Sequence, residues 1–330
     1  MSVILVTGGA GYIGSHLCKA LAQRGFVPVT YDNFVTGHRW AVRWGPLEEG
    51  DLADRARLDR VLERHRPAAV MHFAASTFVG ESVANPGKFY RNNVAGSLSL
   101  LEAMRDHAIQ KLVFSSSCAV YGAPLQLPLT EAHPQRPVSP YGFTKHVVER
   151  LLADFGRAHG LHSISLRYFN AAGADPDGDA GEVHLPETHL IPLALAAVAG
   201  HAPPLTILGT DYATPDGSCV RDYVHVTDLA AAHVQALMAM EHFPAGQGVA
   251  EAFNLGAGQG YSVLQVLAMI RQLTGREVPA VVGPRRPGDP PLLVGDASRA
   301  RQELGWSPGY SSLATIIETA WNWMQHMPPA

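Results

Sequence analysis

A tyrosine and a lysine four residues apart, Tyr141 and Lys145, carry side chains that could exchange a proton with a substrate. Residues at this spacing lie on one face of a helix, so both side chains can point into one crevice. Pro140 precedes the tyrosine and favours a helix that starts here. The pattern predicts a phenol that acts as a general base beside an ammonium group. Taken alone, the same spacing is more often a packed ring beside a solvated amine.

Three glycines, Gly8, Gly11 and Gly14, follow the apolar run from Val3 to Thr7 and open a helical pattern. The start of a helix has unpaired N–H groups and a positive dipole end, so it can hold a pyrophosphate. Gly8 and Gly11 lack the Cβ atom that would keep phosphates away, and Gly14 allows the helix to pack against the strand. The first interval is one residue longer than in the usual dinucleotide fingerprint, so a turn without a ligand is the alternative.

The second apolar segment ends at Asp32, close to the position where dinucleotide-binding folds offer a carboxylate to the adenosine ribose. A carboxylate there repels a 2′-phosphate, which favours NAD over NADP. Arg39 and Arg43 follow in the same loop and leave this argument open. The alternative role of Asp32 is an Asx turn with Asn33.

A serine run from Ser115 to Ser117 precedes the tyrosine and completes a site for hydride transfer. The tyrosine would take a hydroxyl proton while a hydride leaves the same carbon for NAD⁺. We expect the neighbouring ammonium and the positive nicotinamide ring to lower the pKa of Tyr141 toward neutrality. Ser117 would donate a hydrogen bond to the reacting oxygen, and Lys145 would also bind the nicotinamide ribose. A serine run at a strand end is otherwise ordinary turn chemistry.

Short apolar runs alternate with helical patterns across the first half of the chain. We predict strands at 3–7, 27–31, 69–73, 111–115 and 163–167, and helices at 13–24, 52–65, 90–106 and 141–158. This alternation predicts an α/β fold, a Rossmann-type doubly wound parallel sheet whose ligands bind beyond the carboxyl ends of the strands. The residues that should converge there are Asp51, Phe73, Ala74, Ala75, Ser115, Ser117, Tyr168 and Asn170.

The second half is less regular and predicts a smaller, discontinuous C-terminal lobe that closes over a substrate. Gly, Pro and acidic residues make 174–187 a loop, whereas 190–200 and 263–273 have helical patterns. A short strand at 253–256 would rejoin the sheet. We therefore predict a cofactor domain at 1–175 with a return around 225–260, and a substrate lobe that occupies mainly 176–330.

Composition and charge exclude several classes of protein. Of the 330 residues, 47% are hydrophobic and 16% charged, which is enough for a sizeable core. The net charge of −4 without a Lys/Arg run argues against nucleic acid, and no uncharged apolar stretch has the length of a membrane span. Cys18, Cys118 and Cys219 lack metal-like spacing, and His184 and His189 are interpreted as loop and helix-start residues, so we predict no metal. A strand close to the N-terminus leaves no room for a signal peptide, and we expect a cytoplasmic enzyme.

These motifs, in this order, resemble those of the extended short-chain dehydrogenase/reductases, and within them the 4-epimerases that interconvert UDP-glucose and UDP-galactose. The resemblance runs through nearly the whole chain. It rests on the segments 7–14, 31–33, 50–52, 72–75, 79–82, 92–94, 114–117, 120–122, 139–142, 166–170, 220–223, 284–286 and 288–289. So many matches in one order make chance a poor explanation.

The resemblance implies a tightly held NAD⁺ that is reduced and reoxidised within one turnover. The 4-hydroxyl of the sugar would lose its proton to the tyrosine, and the 4-ketose would turn about its diphosphate and regain the hydride on its other face. The implied catalytic residues are Ser117, Tyr141 and Lys145. The implied cofactor residues are Gly8, Gly11, Tyr12, Ile13, Gly14, Asp32, Asn33, Asp51, Leu52, Phe73, Ala74, Ala75, Asn92, Ser115, Tyr141, Lys145 and Tyr168. The implied substrate residues are Ser117, Tyr141, Asn170, His189, Leu190, Leu208, Arg221, Arg286 and Asp289.

Four positions bear on which nucleotide sugar fits. Thr77, His189 and Leu208 stand where the family pattern has a lysine, an asparagine and an aromatic residue, and they leave the catalytic set complete. Leu293 falls where the size of the residue bears on N-acetylated sugars. Its branched side chain predicts a preference for the plain hexose.

Several alternatives stay open at this point. A UDP-pentose or UDP-N-acetylhexosamine 4-epimerase would have the same catalytic residues, whereas a non-catalytic NAD-binding regulator would not need them. A 4,6-dehydratase needs an acid/base pair beside the catalytic serine, and Cys118 and Ala119 supply no carboxylate. The resemblance also implies a homodimer through a bundle of two helices per subunit. Its apolar positions could come from 98–104 and 147–152, although these could equally face the subunit's own core.

Overall fold

The computed structural model describes residues 1–244, 246–286 and 288–327, and its strands form sheets of seven, four and two strands. The strands are β1 Val3–Thr7, β2 Val27–Asp32, β3 Leu47–Glu49, β4 Ala69–His72, β5 Lys111–Ser117, β6 His162–Tyr168, β7 Asn170–Ala172, β8 Leu205–Leu208, β9 Val220–His225, β10 Ala250–Leu255, β11 Gly260–Ser262, β12 Ala280–Gly283 and β13 Leu292–Leu293. The helices are α1 Tyr12–Gln23, α2 Arg55–His65, α3 Val79–Ala84, α4 Pro86–Phe89, α5 Gly96–Asp106, α6 Pro140–His159, α7 Leu190–Ala199, α8 Val226–Ala239, α9 Val263–Thr274, α10 Ser298–Glu303 and α11 Leu313–His326.

The seven-stranded sheet is entirely parallel, with the strand order β10-β6-β5-β4-β1-β2-β3. The order runs outward from β1 in both directions, which is the arrangement of a doubly wound sheet. The predicted α/β fold of Rossmann type is therefore confirmed. In this arrangement the carboxyl ends of β1, β2, β4, β5 and β6 lie along one edge of the sheet, where a ligand can meet residues from all of them.

Helices on both faces bury the central strands, and this is why these strands are continuous apolar runs. On one face, Val6 packs in a cluster with Leu17 of α1 and with side chains of α8. On the other face, Leu5 packs with Leu58 of α2 and Leu101 of α5. Among the described residues, no helix is both long and apolar enough to cross a membrane.

The second half of the chain forms a lobe around β9, which pairs with β7, β11 and β13. Helices α7, α9 and α11 pack against each other through a separate core that includes Ile191, Leu195, Val266 and Ile316. Strand β10, which includes the first three residues of the predicted strand 253–256, pairs in parallel with β6 of the large sheet. The chain therefore passes back to the large sheet before it completes the second lobe.

Three details of the predicted elements were wrong. The helix predicted at 52–65 begins at Arg55, because the side chain of Asp54 accepts the backbone N–H of Arg57 and caps the helix there. The helix predicted at 90–106 begins with a π-helical turn at Tyr90–Ala95. The three-residue strand β3 was missed, because Leu47–Glu49 is too short to show a period in the sequence.

A buried lysine of α1 fastens the loop that follows β7. The Nζ atom of Lys19 lies 2.6 Å from Asp175, 2.7 Å from Asp177 and 3.0 Å from Asp179, and the lysine side chain is 10% exposed. The three carboxylates thus surround an ammonium group that comes from α1, the helix after the glycine turn. Asp175 is itself buried, and Lys19 supplies the cation next to this carboxylate.

We expect the substitution Lys19→Met to lower the free energy of unfolding by about 3 kcal/mol, because it leaves a buried carboxylate without its cation. The matched control is Arg39→Met, which removes an ion pair with Glu49 whose side chains are 62% and 55% exposed. A surface pair of this kind contributes only about 0–1 kcal/mol. Denaturant unfolding of both variants measures the difference, and equal effects would contradict the assigned role of Lys19.

Candidate active site

The glycine turn between β1 and α1 has no room for side chains. Gly8 has φ of +74°, and a Cβ atom there would lie 2.6 Å from the backbone nitrogen of Ala74. A Cβ atom on Gly14 would lie 2.2 Å from the carbonyl oxygen of Gly8. The turn is therefore closed by backbone contacts, and α1 begins directly after it, at Tyr12. The N–H groups of the first helical turn remain for a ligand at this edge of the sheet.

Asp32, at the end of β2, holds the glycine turn from the side. Its carboxylate accepts the N–H of Ala10 at 3.0 Å and that of Phe34 at 2.9 Å. Burial raises the pKa of Asp32, and the backbone N–H groups oppose this shift. Beyond it, the exposed Asn33 donates to the carboxylate of Asp51 at 2.7 Å. Asp32, which we predicted to bind the ribose, thus lies next to the glycine turn, which we predicted to bind the phosphates.

The residues that follow β4 form the wall opposite this carboxylate. The N–H groups of Phe73 and Ala74 donate to the carbonyl of Thr7 at 2.9 and 3.1 Å, which places Ala74 against Gly8. The ring of Phe73 packs on His233 with centroids 4.7 Å apart. Ala74 and Ala75 are partly exposed and have small side chains, and Ala74 lies against the glycine turn.

Leu52 and Asn92 have less direct places in the site. Leu52 is buried in the core beneath α2 and α5. Asn92 donates to the side chain of Asn93, and Asn93 holds both backbone groups of Ser76 and the hydroxyl of Thr144. Asn93 was not among the predicted site residues, although it fixes the segment after Ala75 to the helix of Tyr141. Its side chain has partners on three elements, which no local spacing could indicate.

The predicted catalytic residues converge at the end of β5. Lys145 is buried, and its Nζ atom donates to the carbonyl of Ser115 at 2.6 Å. The same Nζ atom lies 5.9 Å from the centroid of the Tyr141 ring. Ser115 and Tyr168 also form a short hydroxyl–hydroxyl hydrogen bond. Ser117 is two residues further along the strand, and its hydroxyl influences the ionisation of Tyr141.

The protein groups alone do not lower the pKa of Tyr141, so the lowered pKa that we predicted would require the positive nicotinamide ring as well. Burial raises the pKa of Tyr141 to about 12, and the hydrogen bond from Ser117 only partly opposes this shift. Burial also lowers the pKa of Lys145 to about 7, with Glu149 acting in the opposite direction. The reason is that the lysine directs its ammonium at the carbonyl of Ser115, while both groups are shielded from water.

A buried ion pair between Glu149 and Arg167 lies directly behind these residues. The guanidinium binds the carboxylate with two hydrogen bonds, of 2.9 and 2.5 Å, and Ser116 donates to the same carboxylate at 2.5 Å. Arg167 also donates to the hydroxyl of Tyr121 at 2.9 Å. Neither charged residue was predicted as part of the site. A signal did exist for Glu149, because it continues the spacing of four from Tyr141 and Lys145 along one helix face.

The predicted substrate residues of the second lobe gather around β9. Arg221 forms an ion pair of 2.5 Å with Asp289, and Asn170 donates to the backbone carbonyl of Asp222 at 2.9 Å. Arg286 is exposed in the loop that leads to Asp289. Two more predicted residues, Leu208 and Leu190, are half-buried at the end of β8 and the start of α7.

His189 contacts acidic side chains of the segment before α7. Its Nδ1 atom forms a short hydrogen bond with Glu182, and the side chain is 50% exposed. Its position is the N-cap of α7, as predicted for a helix-start residue. The structure thus brings His189 next to acidic side chains that the sequence had not assigned to any site.

Taken together, these residues fit a dinucleotide. The glycine turn has no room for a Cβ atom at Gly8 or Gly14, and the N-terminus of α1 follows it directly. Asp32 lies beside this turn, at the same carboxyl edge of the sheet. A phenol, an ammonium and a serine hydroxyl stand at the end of β5, two strands from β1 along the same edge.

Comparison with known proteins gives the same result. The family model described as "NAD dependent epimerase/dehydratase family" matches residues 4–256. A UDP-glucose 4-epimerase of Rhizobium leguminosarum bv. trifolii is 53% identical over 97% of this chain and 96% of that protein. A UDP-glucose 4-epimerase of Rhizobium meliloti is 52% identical over the same shares. The crystal structure of UDP-glucose 4-epimerase from Brucella ovis in complex with NAD aligns with a TM-score of 0.94 and 53% identity, over 98% of both chains.

The match covers most of the chain, and it includes the glycine turn, the acidic strand end and the Tyr141–Lys145 pair. The resemblance that we found in the sequence is confirmed at the level of the family. The chain belongs to the NAD dependent epimerase/dehydratase family.

Proposed function

We infer that the protein interconverts UDP-glucose and UDP-galactose by 4-epimerisation with a tightly bound NAD⁺. The observation that carries this inference is the convergence of Tyr141, Lys145 and Ser117 beside a glycine turn shaped for a dinucleotide. The proteins that are about half identical over almost the whole chain are named UDP-glucose 4-epimerases, and one of their structures holds NAD.

Residues of the first lobe would hold the cofactor. The N–H groups after Gly11 would bind the pyrophosphate, and Asp32 would accept hydrogen bonds from the adenosine ribose. Lys145 would reach the other ribose from its place on the carbonyl of Ser115. When bound, NAD⁺ supplies a hydride acceptor that returns the same hydride, together with a positive charge close to the phenol.

Tyr141 acts as the base that removes the proton of the sugar 4-hydroxyl. Because burial keeps the pKa of its phenol high, the phenolate depends on positive charge supplied at the site. The ammonium of Lys145 is one such charge, and Glu149 favours its protonated form. Ser117 would donate a hydrogen bond to the reacting oxygen and keep it aligned for both half-reactions. After oxidation the sugar must expose its other face to the returning hydride.

Turning the sugar requires that the nucleotide stays in place while the hexose moves. Arg221, Arg286 and Asp289 would anchor the diphosphate and ribose from the second lobe, with Asn170 on the neighbouring strand. Guanidinium groups suit this role because they bind phosphate oxygens in pairs and stay charged at every working pH. The ion pair with Asp289 already fixes the position of the Arg221 side chain.

The packing around Leu293 favours a plain hexose as the substrate. Leu293 packs against a cluster that includes Cys118, Tyr121 and Phe169, so its side chain cannot easily swing away. A Cβ atom on Gly295 would lie only 2.2 Å from the ring of Phe169, so the backbone cannot retreat in that direction either. A rigid branched side chain leaves little space for a 2-acetamido group. Activity on UDP-pentoses is the alternative that this packing does not oppose.

The proposal includes a homodimer and a cytoplasmic location. Leu100, Leu101, Met104, Val148 and Leu152 are buried in the subunit's own core, so they are not available to a partner. Tyr90 and Phe143, which are 41% and 44% exposed and lie side by side on neighbouring helical segments, are better suited to meet one. Light scattering of the purified protein measures the molar mass and so tests the homodimer.

The cysteines are all unpaired, which agrees with the reducing compartment of a cytoplasmic protein.

The purified protein should convert UDP-galactose to UDP-glucose without added nicotinamide, because the hydride is taken and returned within one turnover. Incubation with UDP-galactose, UDP-N-acetylgalactosamine and UDP-xylose, followed by chromatography of the products, tests both the reaction and the sugar. We expect the hexose to react about tenfold faster than the N-acetylated sugar. A much larger ratio is not expected, because a difference of a few atoms in a pocket gives limited discrimination. Equal rates would contradict the role given to Leu293.

The substitution Tyr141→Phe should lower kcat by at least about a hundredfold, because it removes the base and leaves the ring in place. Bound NAD, measured after denaturing the protein, should stay close to the wild-type amount. A regulator without catalysis would keep its function in this variant, and full turnover by the variant would exclude Tyr141 as the base.

The substitution Glu149→Gln should shift the alkaline limb of the pH profile of kcat to lower pH. Glu149 opposes the burial that lowers the pKa of Lys145, so without this carboxylate the lysine loses its proton earlier as the pH rises. The loss of the ammonium then disfavours the phenolate of Tyr141 above that pH. Initial rates between pH 6 and pH 10, with saturating UDP-galactose, measure the shift.

The control for this prediction is the double variant Glu149→Gln/Arg167→Gln. The single variant leaves a buried guanidinium without its partner and should lose stability, whereas the double variant removes both charges and should regain it. If Glu149 acts on Lys145, the alkaline limb stays displaced in the double variant. A limb that returns to its wild-type position together with stability would show a purely structural role for the ion pair.

A further inference from the structure

Two Glu-x-His pairs stand five residues apart in the segment between β7 and α7. The resemblance implied that His189 meets the substrate, but the function proposed above gives no role to the side chains of either pair. They are Glu182 with His184, and Glu187 with His189. One nitrogen or carboxylate oxygen from each of the four side chains lies within 4.8 Å of the others. We call these four residues the Glu-His cluster. Two imidazoles and two carboxylates are a donor set that suits zinc.

We propose that the Glu-His cluster binds one Zn²⁺ ion, which fastens the segment between β7 and α7 beside the cofactor turn. The proposal rests on the placement of the four donor atoms and on the burial of two of the side chains. It does not depend on the sugar chemistry proposed above.

The separations of the donor atoms are close to those of a tetrahedral site. Zinc–ligand bonds of about 2.0–2.2 Å place neighbouring ligand atoms about 3.3–3.6 Å apart. The Nδ1 atom of His184 lies 3.2 Å from Glu182 and 3.6 Å from Glu187, and the Nδ1 atom of His189 lies 3.8 Å from Glu187. The contact of His189 with Glu182 is a direct hydrogen bond and is shorter than such a shell allows. An ion would therefore replace the proton of that one bond and move these two atoms apart.

Burial gives the second argument. The side chains of Glu182 and His184 are 7% and 18% exposed, and the Nδ1 atom of His184 is out of contact with water without a well-formed hydrogen bond. A buried carboxylate needs a cation or a metal nearby. His184 is also held in place, because Tyr12 and Phe78 pack edge-on against its ring with centroids 6.3 and 6.1 Å away.

Zn²⁺ coordinates neutral imidazoles and ionised carboxylates, so its binding to the Glu-His cluster competes with protons. Binding should therefore tighten as the pH rises and release protons into the buffer.

The site would connect two parts of the molecule. His184 contacts Tyr12, the first residue of α1, and the indole of Trp323 in α11 donates to the backbone carbonyl of Glu182 at 3.2 Å. An ion held by residues 182–189 would therefore link the start of α7 to the helix that begins at the cofactor turn. This arrangement predicts a structural rather than a catalytic metal, with all four positions filled by protein ligands.

The test is a count of bound zinc. The full-length protein is treated with a chelator, exchanged into metal-free buffer and titrated with ZnCl₂ alone, and bound zinc is measured after equilibrium dialysis at pH 7 and pH 8.5. We expect saturation at about one ion per chain, tighter binding at the higher pH, and proton release in calorimetry performed in buffers of different ionisation enthalpy.

Three variants decide the assignment. His184→Gln/His189→Gln should lose the bound ion, and Glu187→Gln, which can still accept the N–H groups of Thr188 and His189, should bind at least about tenfold more weakly. The control His107→Gln removes an imidazole that pairs with Asp59 elsewhere, and it should bind like the wild type. Circular dichroism verifies that each variant is folded. No saturable binding by the wild type, or equal binding by a folded Glu187→Gln variant, would overturn the proposal.

Discussion

The buried ammonium of Lys145 is the constraint on which the arrangement of the site depends. Taking an ammonium group out of water is costly unless acceptors and negative charge surround it. Here the carbonyl of Ser115, the face of the Phe114 ring at 4.8 Å and the carboxylate of Glu149 provide that surrounding. Ser115 and Phe114 belong to β5, whereas Glu149 belongs to α6, as does the lysine itself. The requirement to accommodate one charge therefore fixes the end of β5 relative to α6, and with it the distance between the serine and the tyrosine.

The partners of this ammonium extend across the molecule to the strand that returns from the second lobe. Glu149 binds Arg167 of β6, and Arg167 donates to Tyr121. The hydroxyl of Tyr121 in turn donates to Asn254 of β10 at 2.6 Å. Because β10 reaches the sheet only after the chain has entered the second lobe, the surroundings of the candidate site at the end of β5 are complete only when both halves of the chain have folded. The discontinuity of the second lobe thus has a structural purpose, since it brings Asn254 behind the site.

The parts of this structure that the sequence predicted are those governed by local spacing. The glycine turn, the Tyr141–Lys145 pair and the alternation of strands and helices each follow from the geometry of one or two elements. The parts that it missed depend on contacts between distant segments. The ion pair of Glu149 with Arg167 joins a helix to a strand, and Asn93 joins three elements. Short strands such as β3 are set by their neighbours in the sheet, and they leave no periodic pattern in three residues.

For a related reason, the sequence could not indicate that the protein groups alone leave the pKa of Tyr141 high. Spacing indicates that an ammonium is near a phenol, but it does not indicate where that ammonium points or how much water reaches either group. In the folded chain, desolvation of both groups outweighs their mutual influence. An argument about ionisation therefore needs the three-dimensional surroundings, whereas an argument about which residues share a helix face does not.

The loop after β7 carries Asp175, Asp177 and Asp179, an alternation of acidic residues that in other proteins commonly surrounds calcium. In this chain the centre of the three carboxylates is filled by the side chain of Lys19, which is covalently part of the protein. A tethered amine cannot be diluted away or removed by dialysis. The position of this loop thus needs no calcium ion, because the lysine that fills its centre belongs to the neighbouring helix α1.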